Sequence, residues 1–281
     1  MNYDHVYHAG NHADVLKHLV VLCFAEALTQ KPTPWCYLDT HAGCGIYDFS
    51  HMKKQEAPEY HHGVQLLRAM SGNKPALCDK YLSIVASVNK TNTLRYYPGS
   101  TYFVRQVARQ HDRLIACEWQ EAAYLELKTT FHRDANVAIH HMDGYLGLKA
   151  FLPPKEKRGF VLIDPPYEAD TDWQQTITTL ERALTHWRSG QYLLWYPLKN
   201  RSHIMGWLRK LQASLQNDIL IIELCPFEAA GNQLYGSGMV IINPFWKFKE
   251  QFMGVLDYVW QALSVNKKGY FRLLSLDSVV K

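Results

Sequence analysis

The chain has 281 residues, of which 47% are hydrophobic and 20% are charged, as is ordinary for a globular protein with one large core. No apolar run approaches the roughly eighteen residues that span a bilayer, and no signal peptide is recognisable, so we expect a cytoplasmic protein with no membrane partner. The six cysteines include no C-x-x-C pair, which argues against a disulfide framework or metal site, and the net charge of +4 permits a polyanionic partner.

The hydrophobic pattern predicts strands that alternate with helices. Asn11 is expected to cap a helix that continues to about Gln30, because apolar residues recur there at three- and four-residue spacing and prolines follow. Helices are also predicted over 172–188 and 201–215. Seven apolar runs predict an α/β fold with a seven-stranded, mostly parallel sheet flanked by helices, and these runs are 35–40, 113–119, 137–144, 159–163, 192–198, 219–226 and 238–244.

An unusually long stretch separates the first predicted strand from the second. The residues between Thr40 and Arg113 are too many for one helix and two loops, and part of this stretch carries helical spacing. We therefore predict a main domain over 1–47 and 96–281, with a small helical subdomain inserted over 48–95.

Four predicted strands end in an acidic residue, namely Asp39, Glu118, Asp143 and Asp164. In open α/β sheets, ligands bind outside the carboxyl ends of the strands, so these side chains should line one crevice. A single aspartate at such a position more often caps the following helix, but four at corresponding positions favour a ligand site.

The segment "DTHAGCG" at 39–45 predicts a tight loop, in which Gly43 and Gly45 allow the backbone to approach a ligand closely. Asp48 stands where a dinucleotide fingerprint has its third glycine, which disfavours a pyrophosphate and makes a dehydrogenase the weakest alternative. The loop suits S-adenosyl-L-methionine, which carries no phosphate. Glu118 is then placed to accept both ribose hydroxyls, and Asp143 is placed to accept the adenine amino group.

The segment "DPPY" at 164–167 predicts the catalytic element. Its two prolines impose a stiff, extended turn, because each fixes φ and restricts the residue before it. The Asp164 carboxylate and the Pro165 carbonyl can accept the two hydrogens of an exocyclic amino group, which directs the nitrogen lone pair at a methyl donor. Tyr167 can stack on the base, which offsets part of the cost of unstacking it.

Several motifs together resemble the RlmJ family of 23S ribosomal RNA adenine-N6 methyltransferases. The similarity in order and spacing extends from about residue 3 to residue 250. The combination of the first motif with "LIDPPYE" is highly specific, whereas "DPPY" alone marks the wider superfamily. The motifs are "HAGNHADVLKH" (8–18), "YLDTHAGCG" (37–45), "LRYYPGS" (94–100), "DG" (143–144), "LIDPPYE" (162–168), "LWYP" (194–197) and "SGMVIINPFW" (237–246).

The resemblance implies a Rossmann-like class I methyltransferase that acts as a monomer on 23S ribosomal RNA, either free or partly assembled. It also implies that Asp164 is the catalytic group and that Tyr3 engages the substrate. Lys17 and His18 suit the methionine carboxylate, and the Ser100 hydroxyl suits the same end of the cofactor. The full set of expected cofactor contacts is Lys17, His18, Asp39, His41, Gly43, Ser100, Glu118, Asp143, Gly144 and Asp164.

Two other functions remain open on the residues alone. One is methylation of DNA at adenine N6 or cytosine N4, because "DPPY" does not distinguish RNA from DNA. The other is a nucleic-acid-binding protein for the use of external DNA, against which the intact set of acidic strand ends argues. Basic residues interleaved with aromatic ones, such as Arg95, Lys199 and Arg201, are compatible with either nucleic acid.

Overall fold

The structure is a computed structural model that describes residues 5–52, 58–229, 233–264 and 266–280. The expected substrate contact Tyr3 lies outside these ranges and stays a prediction. Among the described helices, none combines the length and the apolar character that crossing a membrane requires.

Within the described residues, eight strands form one sheet in the order β10-β8-β9-β7-β6-β1-β4-β5. Strands β5, β4, β1, β6 and β7 are parallel to one another. β9 is antiparallel to both of its neighbours, and β10 is antiparallel to β8. The strands are β1 (Cys36–Asp39), β4 (Arg113–Glu118), β5 (Val137–His141), β6 (Gly159–Ile163), β7 (Gln191–Leu198), β8 (Ile219–Cys225), β9 (Gly236–Ile242) and β10 (Tyr270–Ser275).

All seven predicted strands are present in this sheet, and the eighth, β10, is the addition. β10 is the last strand on one side of the sheet, and of its six residues four are half-buried, one is exposed and one is buried. It therefore lacks the continuous apolar run that marks a strand buried on both faces.

Helices cover both faces of the sheet. In β1, Tyr37 packs toward the side of α1, α3, α4 and α9, whereas Cys36 and Leu38 pack toward the side of α6, α7 and α8. The predicted first helix is confirmed, since the Asn11 side chain accepts hydrogen bonds from the first turn of α1. The helices outside the insertion are α1 (His12–Thr29), α4 (Ser100–Arg105), α5 (Glu121–Thr130), α6 (Gly144–Phe151), α7 (Asp170–His186), α8 (Arg201–Ser214), α9 (Phe248–Leu263) and α10 (Leu276–Val280).

The predicted insertion corresponds to a helical excursion that leaves and returns through a small antiparallel pair, β2 (Ile46–Asp48) and β3 (Tyr96–Pro98). Asp48 binds the Arg95 guanidinium at this neck, with 2.9 Å between Oδ2 and Nη2. The excursion contains α2 (Val64–Ala69) and α3 (Ala76–Ser87), whose apolar residues join the core beneath α1. Its independence as a subdomain stays a prediction.

The carboxyl ends of β1, β4, β5, β6, β7 and β8 meet at one edge of the sheet, which we call the rim. The first turns of α1 also reach the rim, because Lys17 contacts the residue that follows β6. This edge therefore brings together residues that lie far apart in the sequence.

Candidate active site

The centre of the candidate site is an ion-paired chain of three side chains. Asp164 follows β6 directly, and its Oδ2 lies 2.5 Å from Nζ of Lys17. The same Nζ lies 2.8 Å from Oδ1 of Asp14, and the Asp14 carboxylate also accepts a hydrogen bond from the Gly10 N–H. Asp14 and Lys17 are almost fully buried, whereas the Asp164 side chain is 15% exposed. Asp164 is thus the end of the chain that a substrate can reach.

Lys17 is held as a cation by its two partners. Burial alone would lower the pKa of its ammonium group, but the charges of Asp14 and Asp164 outweigh burial and raise that pKa well above its ordinary value. The ammonium therefore stays protonated, and it fixes the orientation of the Asp164 carboxylate. In the described parts of the chain, Oδ1 of Asp164 accepts no hydrogen bond and remains available.

Asp39 is the most deeply buried of the four strand-end acids. Its Oδ2 accepts hydrogen bonds from the hydroxyls of Tyr37 (2.7 Å), Ser100 (2.5 Å) and Thr101 (3.1 Å). Burial raises the pKa of the Asp39 carboxyl, and the donated hydrogen bonds oppose this change. Asp39 and Ser100 thus join β1 to α4 beneath the glycine loop, and their direct contacts with a cofactor stay predictions.

Glu118 is positioned by two backbone N–H groups. Its Oε2 accepts from Gly43 in the glycine loop at 2.8 Å, and its Oε1 accepts from Gln120 at 2.7 Å. Each carboxylate oxygen has a second lone pair, so the carboxylate can still accept hydrogen bonds from two hydroxyls. The structure therefore brings the glycine loop and the end of β4 into direct contact.

Asp143 caps the helix that begins at this part of the rim. Its Oδ1 accepts from the N–H of Tyr145 at 2.7 Å, which fixes the start of α6. At the next residue, Gly144, a Cβ atom would lie 1.9 Å from the Thr40 carbonyl oxygen. Only glycine lets α6 begin this close to the loop after β1, so the start of α6 packs directly on the end of β1.

The two histidines predicted to contact the cofactor occupy different surroundings. His18 is buried on α1, and its Nδ1 lies 2.8 Å from the Tyr97 hydroxyl. His41 lies in the loop after β1, with Nδ1 at 2.7 Å from the Thr40 hydroxyl and its ring edge against Tyr145. Burial lowers the pKa of His41, so its ring is neutral near pH 7 and can donate or accept a hydrogen bond.

Two exposed apolar side chains at the rim were missed by sequence reasoning. Trp119 follows Glu118 and is 69% exposed, and Leu146 lies on the first turn of α6 and is 59% exposed. They follow Glu118 and Asp143 closely along the chain, where β4 ends and α6 begins. No feature of the sequence distinguishes them from residues of a buried strand or helix. They are exposed because they lie where β4 ends and where α6 begins, and the sequence does not specify these boundaries.

Tyr167 is held firmly beside Asp164. Its φ of +50° is uncommon for a residue with a side chain, and its hydroxyl donates to the Trp195 carbonyl at 2.8 Å. Its ring packs against Trp173 at a centroid distance of 4.3 Å. Since Ile163 pairs with Leu194 in the sheet, Trp195 lies next to Asp164 on the neighbouring strand, and its indole N–H is bonded to Ser237.

The residues at the rim fit S-adenosylmethionine on chemical grounds. Glu118 supplies acceptors for two hydroxyls, Asp143 supplies an acceptor for an amino group, and exposed apolar side chains flank both. Gly144 lets the start of α6 lie directly against the loop after β1. These positions offer backbone and carboxylate groups, in agreement with a cofactor that lacks phosphate.

Comparisons with known proteins identify the family and the fold. The sequence matches the family described as "Ribosomal RNA large subunit methyltransferase D, RlmJ" over residues 32–274, a range that contains every candidate site residue from Asp39 to Tyr167. It is 37% and 36% identical to "Ribosomal RNA large subunit methyltransferase J" of Escherichia coli (strain K12) and Haemophilus influenzae, over 94% of each chain. A crystal structure of a Legionella pneumophila protein superposes with a TM-score of 0.88 at 33% identity, and covers 95% of this chain and 98% of its own.

Proposed function

The chain belongs to the RlmJ family of ribosomal RNA large subunit methyltransferases, and we propose that it methylates the exocyclic N6 of one adenine in 23S ribosomal RNA. The observation that carries this proposal is the Asp164 carboxylate, which Lys17 fixes at 2.5 Å and which is partly exposed at the rim. A carboxylate in this position can receive an amino group that enters from outside the sheet.

The amino group is held by two acceptors. Oδ1 of Asp164 accepts one N6 hydrogen, and the carbonyl of the buried Pro165 accepts the other. These bonds draw the nitrogen from planar toward tetrahedral geometry and expose its lone pair. As positive charge develops on N6, the Asp164 carboxylate stabilises that charge, and N6 then releases one proton to solvent water.

The base is held by aromatic side chains. Tyr167 is placed beside Asp164 by its hydrogen bond to Trp195, so its ring can stack on an adenine that has left its helix. Stacking of one base on an aromatic ring contributes about 1 to 3 kcal/mol, which offsets part of the cost of unstacking the nucleotide.

The cofactor site lies on the other side of Asp164, at the ends of β1, β4 and β5. S-adenosyl-L-methionine supplies a methyl group on a positively charged sulfur when it is bound. Glu118 would hold the ribose, Asp143 the adenine amino group, and Trp119 and Leu146 the faces of the adenine ring. Lys17, His18, Asp39, His41, Gly43, Ser100 and Gly144 complete the proposed set. We also propose that the enzyme acts in the cytoplasm as a monomer.

Transfer of a radiolabelled methyl group tests the proposed function. Protein-free 23S RNA, duplex DNA and RNA hairpins are each incubated with labelled S-adenosylmethionine, and the nucleosides are then separated. We expect label in N6-methyladenosine from RNA. Label confined to DNA would overturn the substrate assignment, and label in another nucleoside would overturn the assigned atom.

A further inference from the structure

A cavity opens at the rim, beside the carboxyl end of β8 and the start of β10. It has a volume of about 380 Å³, and its walls include Arg201, Phe227, Lys268 and Tyr270. Arg201 is the first residue of α8, and Phe227 follows β8 by two residues. The cavity is therefore on the same edge of the sheet as Asp164, and it contains no residue of the proposed catalytic site.

A buried charge cluster lies under this cavity. Glu223, on β8, is fully buried and lies 2.8 Å from both Nη1 of Arg201 and Nε of Arg272. Its carboxylate also accepts from the hydroxyls of Tyr270 (2.8 Å) and Tyr196 (3.1 Å). One carboxylate thus holds two guanidinium groups in place, and the cluster keeps one surplus positive charge. The Arg201 guanidinium places positive charge at the cavity wall.

The register of four strands brings the residues of this cluster together. The register places Tyr196, Gly238, Glu223 and Arg272 side by side on four neighbouring strands. A Cβ atom on Gly238 would lie 2.1 Å from the Tyr196 ring, so the glycine lets that ring cross over β9 to reach Glu223. Burial would raise the pKa of Glu223, but Arg272 and Arg201 outweigh burial and lower it, so the carboxylate stays charged. The cluster is therefore a permanent anchor for both arginines.

The cavity also offers aromatic surface and an exposed cation. Phe227 is 37% exposed and Tyr270 is 38% exposed, although each contacts other side chains. The Lys268 side chain is 60% exposed, and it pairs with an equally exposed Glu228 at 3.2 Å. An exposed pair of this kind contributes little to stability, so a phosphate can replace Glu228 as the partner of the lysine.

The cavity and the active site both lie against the start of α1. The Phe227 ring contacts His12, in the first turn of α1, at a centroid distance of 5.6 Å, and Lys17 on the same helix contacts Asp164. Between β6 and β8 lie two strands, so the distance along the rim is roughly 14 Å at a spacing of about 4.8 Å per strand. A short single-stranded segment of nucleic acid can span this distance.

We propose that this cavity binds a nucleotide that flanks the target adenine in single-stranded RNA, with its phosphate on Arg201 and Lys268 and its base on Phe227. The inference rests on the proposed function, because that function provides the RNA. A combination of basic groups and exposed aromatic rings is the usual composition of single-strand binding sites.

Equilibrium binding of a fluorescein-labelled single-stranded RNA oligonucleotide, measured by anisotropy at several salt concentrations, tests the cavity directly. For Lys268→Gln, the slope of log K against log salt should decrease in magnitude by about 0.7, the value for one phosphate contact on a single strand. For Phe227→Ala, affinity should fall roughly tenfold with the slope unchanged, because one stacking contact is lost.

Matched controls lie at the opposite edge of the sheet. Lys249→Gln removes an exposed lysine near the start of α9, and Trp246→Ala removes an aromatic ring that is 80% exposed in the preceding loop. Both controls should bind the oligonucleotide as the wild type does. If Lys268→Gln and Phe227→Ala also bind like the wild type, the proposed cavity function is wrong.

Methyl transfer by the wild-type protein to protein-free 23S RNA is measured in parallel. Failure of that transfer, with binding still dependent on Lys268 and Phe227, would overturn the proposed function and support the cavity. Successful transfer, with binding independent of both residues, would overturn the cavity alone.

Discussion

Two buried charge clusters lie at the same rim and have opposite compositions. At the active site, one lysine, Lys17, lies between the carboxylates of Asp14 and Asp164. At the far end, one carboxylate, Glu223, lies between the guanidinium groups of Arg201 and Arg272. The first cluster has one surplus negative charge and the second has one surplus positive charge, and each is built around a central group that is almost completely buried.

The difference corresponds to the two chemical demands of the proposed substrate. An amino group that is becoming positively charged is stabilised by a negative cluster, and a phosphate backbone is stabilised by a positive one. In each cluster the central group fixes its partners, so the reactive or binding group is positioned before the substrate arrives. The clusters should therefore respond differently to mutation, the first mainly in catalysis and the second mainly in stability and RNA affinity.

The largest expected effect is on folding, when the central carboxylate of the positive cluster is removed. Glu223→Ala leaves two guanidinium groups near one another without their shared partner, and breaking a buried pair in this way costs about 3 to 5 kcal/mol. Chemical denaturation should show this loss in the free energy of unfolding. A loss below about 1 kcal/mol would show that the cluster is not a structural anchor.

The same cluster predicts a pH dependence. The pKa of Glu223 is lowered in the folded protein from its ordinary value of 4.5, so the carboxylate binds its proton more weakly when folded than when unfolded. Its contribution to stability is therefore complete above pH 4.5 and is lost as the pH falls through the lowered folded pKa. The difference in unfolding free energy between wild type and Glu223→Gln should be constant near neutral pH and should shrink in acid.

The next largest effect concerns the negative cluster. Asp164→Ala removes the group that holds N6, and we expect a loss of at least about 3 kcal/mol of transition-state stabilisation, or roughly a hundredfold in rate. Single-turnover methyl transfer to 23S RNA measures this loss. Since Asp164 is only partly buried, the unfolding free energy should change less than it does for Glu223→Ala. Activity within tenfold of the wild type would contradict the catalytic assignment.

The positions of the strand-end acids could be predicted from the sequence, but their roles could not. Asp39 and Asp143 each follow a short apolar run in the same way. In the structure, Asp39 is enclosed by the hydroxyls of Tyr37, Ser100 and Thr101, whereas Asp143 caps α6 at the rim. A strand pattern specifies where an acid lies along the chain. It does not specify which distant hydroxyl will donate a hydrogen bond to that acid.

The two charge clusters show the same limit more strongly. Lys17 and Asp164 are 147 positions apart, and Arg272 is 49 positions from Glu223. Lys17 is predicted as a cofactor contact because its charge suits the methionine carboxylate, but its pairing with two carboxylates depends on how α1 crosses the sheet. Glu223 lies inside the apolar run "ILIIELC", and its partner strand β10 has too little apolar pattern to be recognised.

Glu118 lies at the rim outside both clusters, so its mutation tests cofactor binding separately from them. Glu118 is bonded to the backbone N–H groups of Gly43 and Gln120 and contacts neither cluster. Glu118→Ala should weaken cofactor affinity by about 1.5 to 3 kcal/mol, the range for hydrogen bonds to a charged group. Titration calorimetry with S-adenosylmethionine measures this change, and unchanged affinity would remove Glu118 from the ribose role. RNA affinity serves as the control and should be unaffected.

The smallest expected effect concerns Tyr167, whose ring lies beside the negative cluster. Tyr167→Phe keeps the ring beside Asp164 but removes its hydrogen bond to the Trp195 carbonyl, a bond that contributes about 1 kcal/mol. If that bond only orients the ring for stacking, the rate of methyl transfer should fall roughly fivefold because the RNA base is held less well. Cofactor affinity should stay the same. Tyr167→Ala removes the ring as well, and the loss should then be larger by one stacking contact. Equal rates for the two variants would show that the hydroxyl, rather than the ring, is what the substrate requires.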